Sequence, residues 1–260
     1  MPVPLDRALS KLRLASRSEA RRLIADGRVT VNGRVVRRAA TPVIPERVRI
    51  AIDGTAPTQG RAKPRVLLFH KPRGTVTTRR DPQGRKTVFD VLGDAGNGLV
   101  AVGRLDLAST GLLVFTNDTQ LANRLTDPAS RIPRRYVVTV RGRVSRVAVQ
   151  QLLDGIVAAG ARPRDRAETL SASRVEIQKE SNRETHLIVE LLEGRNREIR
   201  RLFSAMGHEP TRIHRVSFGE YELGALQPGQ WREFQLEPRS VRRSTHDERK
   251  GHPLTGLARG

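Results

Sequence analysis

Two segments contain residues whose types and spacing can do chemistry. The first is GRLDLASTGLLVFTND, Gly103 to Asp118. Asp106 stands there between Leu105 and Leu107, among small and apolar residues, and Gly103 and Gly111 permit tight backbone on either side. A carboxylate in such a setting can serve as a nucleophile or a general base. A turn or helix-capping Asp is the ordinary alternative, with Arg104 as a simple ion-pair partner. The second segment is EGRNREIRRLFSAMGH, Glu193 to His208. Ile199, Leu202, Phe203 and Met206 recur at helical spacing and predict a buried stripe. Arg195, Arg197, Arg200 and Arg201 are left over. Arg200 follows Ile199 directly, at the edge of the stripe, where a guanidinium can reach a buried carboxylate. A solvated basic face explains the same spacing.

Other chemistries find no support. Cysteine is absent, which excludes thiol catalysis, disulfides and thiolate zinc sites. The six His residues are scattered, and His208 and His214 are too far apart for a helical metal pair. No glycine-rich phosphate loop is present, so neither cofactor nor metal is expected.

The surrounding elements are mixed. RVLLFH predicts a strand running into a turn at Lys71-Pro72-Arg73-Gly74. GLLVFT predicts a buried strand, and Asn117-Asp118 can cap a helix carrying Leu121, Ala122 and Leu125. RYVVTVRG and HLIVELL predict further strands. Between them Ser145 opens a helix with Val149, Leu152 and Leu153 inward and Gly155 at its end. Asn196 precedes the stripe helix and Gly207 closes it. The order of elements is α+β, not a regular βαβ alternation.

Upstream lies a compact module, residues 1–52. Leu5, Ala8, Leu9 and Leu12 fall at helical spacing. Ser16 and Glu19 fit a capping box for a second helix with Ala20, Leu23 and Ile24, stopping at Gly27. Val29 and Val31, Asn32-Gly33, then Val35 and Val36 predict a hairpin with a primed turn. Residues 53–65, rich in Gly, Pro and Thr, read as a linker; residues 66–238 form the second domain; the polar basic tail 239–260 is expected to be disordered.

Charge names the class of partner. Lys and Arg number 48 against 27 Asp and Glu, a formal net charge of +21 over 260 residues. A field of that size calls for a polyanion. No apolar run approaches the roughly 20 residues of a membrane span, and MPVPLDRALS has no apolar signal core. A cytoplasmic nucleic-acid-binding protein is expected. Arg13, Arg17, Arg21, Arg22 and Arg28 load the first module with guanidinium groups suited to phosphate. It lacks aromatic residues, so base stacking is not its mode.

These segments carry a resemblance. LDRALSKLRLASRSEARRLIADGRVTVNG is similar to the small RNA-binding domain first described in ribosomal protein S-four; Arg13 departs from the usual Gly. LLFHKPRGTVTTRRDPQGRKTVFDVL, GRLDLASTGLLVFTND, IPRRYVVTVRG and EGRNREIRRLF resemble, in order, the motifs of the pseudouridine synthases of ribosomal RNA, in the branch with an N-terminal S-four-like domain. The resemblance covers about Leu5 to Phe234, and the GRNRE variant is most similar to the large-subunit synthase B group. His70 replaces a common Asn, and Arg134 a frequent Lys.

The resemblance implies an α+β fold in which an S-four-like domain of two helices and a hairpin precedes a mixed-sheet catalytic domain. It implies isomerisation of uridine to pseudouridine in ribosomal RNA, the 23S molecule favoured over the 16S. Asp106 matches the catalytic Asp, Arg200 the Arg that pairs with it, and Tyr136 the active-site Tyr. Lys71, Arg104, Arg134, Arg195 and Arg197 join the arginines of the first module as expected RNA contacts. Ribosomal RNA, free or in a pre-ribosomal particle, is the expected partner, with no membrane and no obligatory protein. A non-catalytic ribosome-assembly factor is the alternative. A DNA-binding regulator lacks a second helix with a readable base-contacting pattern.

Overall fold

The computed structural model describes residues 2–12, 14–15, 17–55 and 63–235. Arg13, Ser16 of the expected capping box, most of the expected linker and the tail beyond residue 235 lie outside them.

The first module packs β1 (Val3–Pro4), α1 (Leu5–Lys11) and α2 (Arg17–Ala25) against β2 (Val29–Val31), β3 (Arg34–Val35), β4 (Pro42–Val43) and β5 (Ile50–Ile52). Leu5, Ala8, Leu9, Ala20, Leu23 and Ile24, the two helical stripes, meet Val29, Val43 and Ile50 in one small core. Asn32 and Gly33 both take positive φ, 50° and 81°, as a primed hairpin turn requires. Strand β2 lies between β3 and β5.

The module's charges are partly spent at home. Asp6 is buried and accepts from Arg21 Nε at 2.8 Å and Arg17 Nη2 at 3.4 Å. Arg28 forks onto Asp53 at 2.8 and 2.6 Å, which ties residue 53 to this module. Arg7 and Arg22 are exposed. The double variant Arg7→Ala/Arg22→Ala is therefore expected to lower the slope of log RNA affinity against log salt by about 1–2. Titrations across a salt series measure it, and an unchanged slope would exclude this surface from RNA.

The remaining elements are β6 (Val66–Lys71), α3 (Val88–Leu92), β7 (Val100–Val102), β8 (Thr110–Thr116), α4 (Thr119–Thr126), β9 (Arg134–Arg141), α5 (Arg146–Asp154), β10 (Ile156–Ala158), β11 (Glu168–Leu170), β12 (Arg174–Glu180), β13 (Glu184–Leu191), α6 (Glu198–Ala205), β14 (Pro210–Phe218), β15 (Tyr221–Glu222) and β16 (Trp231–Phe234). One mixed sheet runs β12-β13-β9-β14-β8-β6-β16, with β7 added to β8 and β15 to β14. Its β14–β8 pair is parallel and the rest are antiparallel. A large apolar cluster on the sheet joins Leu67, Phe69, Leu113, Phe115, Val138, Val189, Leu202 and Phe203. A second holds Val66, Leu68, Leu112, Val114, Leu121 and Leu125.

The parallel junction positions the site. His214 and Arg215 of β14 pair with Thr110 and Gly111 of β8. A Cβ on Gly111 would stand 2.2 Å from the Arg215 carbonyl oxygen, and its φ is +102°. Only glycine lets the two strands approach so closely. The chain entering β8 at this point is the loop that carries Asp106.

Candidate active site

Asp106 sits in the 103–109 loop, held from below at several points. Its backbone carbonyl accepts the Ser109 N–H at 3.0 Å, closing a four-residue turn. The Leu107 carbonyl accepts the Gly74 N–H at 2.9 Å. Thr77 Oγ1 donates to the Leu105 carbonyl at 3.0 Å. Lys71 Nζ donates to the carbonyls of Ser109 at 2.8 Å, Pro72 at 3.2 Å and Leu107 at 3.5 Å. The carboxylate itself makes no hydrogen bond among the described residues and is 35% exposed. It caps no helix and closes no turn, which removes the ordinary reading of this Asp.

Its ion-pair partner among the described residues is the expected one. Arg200 Nε lies 3.8 Å from Asp106 Oδ2. Helix α6 carries Ile199, Leu202 and Phe203 into the core, and Arg200 at the rim of that stripe is one-fifth exposed. Arg200 Nη1 also donates to the Pro210 carbonyl at 3.3 Å, which anchors the guanidinium to β14.

Around this pair a cavity of about 140 Å³ opens, lined by Asp106, Tyr136, Arg200, Ile213, Arg215 and Phe218 among others. Tyr136 is 8% exposed, between Val189 of β13 and Arg215 of β14 in the sheet register. The three residues expected to react therefore line one cavity, although they come from a loop, a strand and a helix. Gly103 and Thr126 line both this cavity and a larger groove of about 1280 Å³. That groove runs between the two units and is edged by Arg7, Lys11, Arg17, Arg65 and Arg79.

Two expected RNA contacts are corrected. Lys71 is 0% exposed, and its ammonium is surrounded by carbonyls of the Asp106 loop and its neighbour turn, so it supports the loop instead of meeting phosphate. Arg134 is also buried; it donates to the carbonyls of Ile132, Leu125 and Leu192, and stacks 4.6 Å over Phe218. It forms part of the cavity wall with both terminal nitrogens engaged by carbonyls. Arg104 and Arg197 are exposed at the cavity. Arg195 lines it as well, but pairs with Glu193 and with Glu168, the latter at 2.5 Å.

Two cavity residues escaped the sequence reading. Arg215 is buried, donates from Nε to the Leu112 carbonyl at 2.8 Å and lies 5.0 Å over Phe218 from the side of β14. A cation inside TRIHRVSF gives no signal of burial by itself. Glu198, 6% exposed, accepts the Arg195 N–H at 2.9 Å and so shapes the turn into α6. Burial pushes its pKa up to about 7, partly offset by that hydrogen bond. A carboxyl whose folded pKa is raised binds its proton more tightly when folded. Its stabilisation is complete below the unfolded value and is lost as pH rises toward about 7. Glu198→Gln is expected to raise stability at pH 8 by up to about 3 kcal/mol and to have little effect at pH 5. Thermal melts at the two pH values read this, and an equal shift at both would refute it.

The fold and this loop–strand–helix site define a class. The chain belongs to the RNA pseudouridylate synthase family, whose match spans residues 65–205, and residues 3–47 match the S4 domain. It is a pseudouridine synthase with an S4 domain at its N-terminus. A protein of Aquifex aeolicus described as an uncharacterized RNA pseudouridine synthase is 35% identical over 90% of this chain and 91% of its own length. The ribosomal large subunit pseudouridine synthase B of Vibrio vulnificus is 36% identical over 90% of this chain and 72% of its own. Among solved structures, a pseudouridylate synthase superposes with a TM-score of 0.60 at 23% identity, covering 90% of this chain and 96% of that one, which supports the fold. Among the described residues no helix is long and apolar enough to cross a membrane, and no cluster of three or more His, Cys, Asp or Glu forms a metal site.

Proposed function

We propose that this enzyme converts a specific uridine to pseudouridine in 23S ribosomal RNA, free or in an assembling particle, in the cytoplasm. The observation that carries the reading is Asp106: a carboxylate with no structural task, on a braced loop, facing a cavity with Arg200 and Tyr136. The similarity to large subunit synthases supports the choice of RNA.

The reaction is an isomerisation. The N1–C1′ bond breaks, a C5–C1′ bond forms, C5 loses its proton and N1 gains one. No electrons and no energy-rich cofactor are required. The glycosidic carbon is hidden in folded RNA, so the uridine must be turned out of its stack or be unpaired already. Asp106 acts on the sugar, as nucleophile or as an aid to glycosidic cleavage. Arg200 orients the carboxylate. Tyr136 stacks on the base, and its hydroxyl or another group takes the C5 proton. The inter-unit groove, edged by cations and sharing Gly103 and Thr126 with the cavity, accommodates the flanking backbone.

A pseudouridine map of ribosomal RNA tests the reading. Carbodiimide labelling and primer extension would compare cells lacking the protein with cells restored by wild type. One large-subunit position should vanish on deletion and return on restoration. A change confined to small-subunit or transfer RNA would overturn the choice of 23S.

A further inference from the structure

One pair of strands stands apart from the main sheet. β10 and β11 pair with each other, Ile156 with Leu170, Val157 with Thr169 and Ala158 with Glu168, and join no other strand. The segment between them, residues 159–167, reads AGARPRDRA. Arg162, Arg164 and Arg166 are exposed, and among the described residues none of their guanidinium groups has an ion pair or a hydrogen bond. Arg28, Arg85 and Arg174, by contrast, each fork onto a carboxylate. The acidic neighbours of the tip are engaged elsewhere: Asp165 Oδ2 accepts the Arg162 N–H at 3.0 Å, and Glu168 pairs with Arg195 and Arg201. Three unpaired cations at alternate positions repel one another and gain nothing from the fold.

The tip is nevertheless firmly built. Pro163 fixes one φ. The Asp165 N–H donates to the Arg162 carbonyl at 3.0 Å and closes the turn. Gly160 packs so tightly on Asp165 that a Cβ there would stand 2.3 Å from its carbonyl oxygen. At the base, Ala158 and Leu170 belong to the large apolar cluster. Arg201 of α6 donates from Nε to the Ala159 carbonyl at 2.7 Å, and its Nη1 meets Glu168 at 2.6 Å. Glu168 also pairs with Arg195, which lines the Asp106 cavity. Arg164 is four residues from Glu168, so at most about 14 Å of chain separates it from that contact.

The cavity thus meets the inter-unit groove at Gly103 and Thr126, and the hairpin at Arg195. We propose that the 159–167 tip is a phosphate arm, a second hold on the sugar-phosphate backbone of the substrate RNA beside the cavity. Planar guanidinium groups suit phosphate. The tip carries no aromatic residue to stack on a base, so it positions the RNA and reads no sequence. This deepens the proposed reading, since it takes the ribosomal RNA substrate as the occupant.

The test uses the full-length protein with Arg162, Arg164 and Arg166 all changed to Ala, and separately all to Lys. Wild type first maps the modified uridine on a 23S transcript. The slope of log affinity against log salt on that transcript should fall by about 2–3 in the Ala variant and stay within about 1 of wild type in the Lys variant. Melting temperature should not move, because the three guanidinium groups touch nothing in the protein. Single-turnover rates at saturating enzyme should stay within about threefold of wild type. A hairpin carrying the mapped uridine then receives single uncharged methylphosphonates within about six base steps of it, about 20 Å at 3.4 Å per step. At one position or more, the methylphosphonate should weaken wild-type binding about threefold and leave the Ala variant unaffected. An unchanged salt slope would overturn the arm while leaving the activity standing. A lowered slope with equal methylphosphonate effects on both proteins at every position would also overturn it, reducing the tip to general attraction. A wild-type enzyme that modifies no uridine in the transcript would overturn the 23S reading, and the salt slopes on the same RNA would still decide the arm.

Discussion

Asp106→Asn is expected to abolish pseudouridine formation, with single-turnover rates falling by about 10⁴-fold or more, the scale on which loss of a reacting group acts. The substitution is close to a pure test of charge and nucleophilicity. Asn has nearly the volume of Asp, and the turn closes through the Asp106 backbone carbonyl, while among the described residues its carboxylate makes no hydrogen bond and pairs with Arg200 at 3.8 Å. At that distance, with both partners partly exposed, the pair contributes little to folding. Melting temperature and RNA affinity should therefore stay close to wild type while the reaction stops. Release of tritium from RNA labelled at uridine C5 follows the chemistry, and filter binding follows the affinity. A residual rate within tenfold of wild type would remove Asp106 from the reaction.

Local patterns made the segments that carry Asp106, Arg200 and Tyr136 legible, and the resemblance to the pseudouridine synthases is what joined the three residues in one expected site. Strands β6, β8, β9 and β13 are dense in Val, Leu and Phe. Helix α6 has an apolar stripe that leaves Arg200 at its edge, and Gly155 and Gly207 end helices at positive φ, 106° and 75°. The Asn32-Gly33 turn carries its own dihedral demand. Other elements were hidden for physical reasons. In β14 the register slips between Pro210 and Arg212 and again between Arg215 and Ser217. The buried positions Ile213, Arg215 and Ser217 nevertheless alternate, but two of the three are polar, so TRIHRVSF shows no apolar strand periodicity. Strand β12, RVEIQKE, is an outer strand with mostly polar residues, and β7 and β16 are too short to show alternation. The buried cations Lys71 and Arg134 were misjudged for another reason. Charge suggests surface, and only the tertiary structure reveals that backbone carbonyls converge on them.

Lys71 leads to the second large effect. Its three short contacts go to three carbonyls, and an ammonium has three hydrogens to give. Burial pulls its pKa down to about 8, while the charge of Asp106 pulls the other way. Below that value the ammonium is complete and the loop fully braced. Above it a neutral amine has two hydrogens for three acceptors, and the attraction to Asp106 is lost. The wild-type single-turnover rate is therefore expected to fall as pH rises through about 8. Folding stability should move the opposite way. The folded pKa lies below the ordinary 10.5, so between about 8 and 10.5 the unfolded chain binds more protons, and this group's share of stability grows with pH. A rate that drops while this contribution rises cannot be assigned to unfolding by Lys71. Lys71→Met, of similar length and without charge, should lower the rate about 100-fold, the penalty of a misplaced reacting group. It should also flatten the profile between pH 7 and 9, with RNA affinity little changed because the side chain is fully buried. Rates and thermal melts of both proteins across that range decide the matter. A variant that keeps the wild-type rate, or that keeps the fall above pH 8, would show that the Asp106 loop does not depend on this lysine.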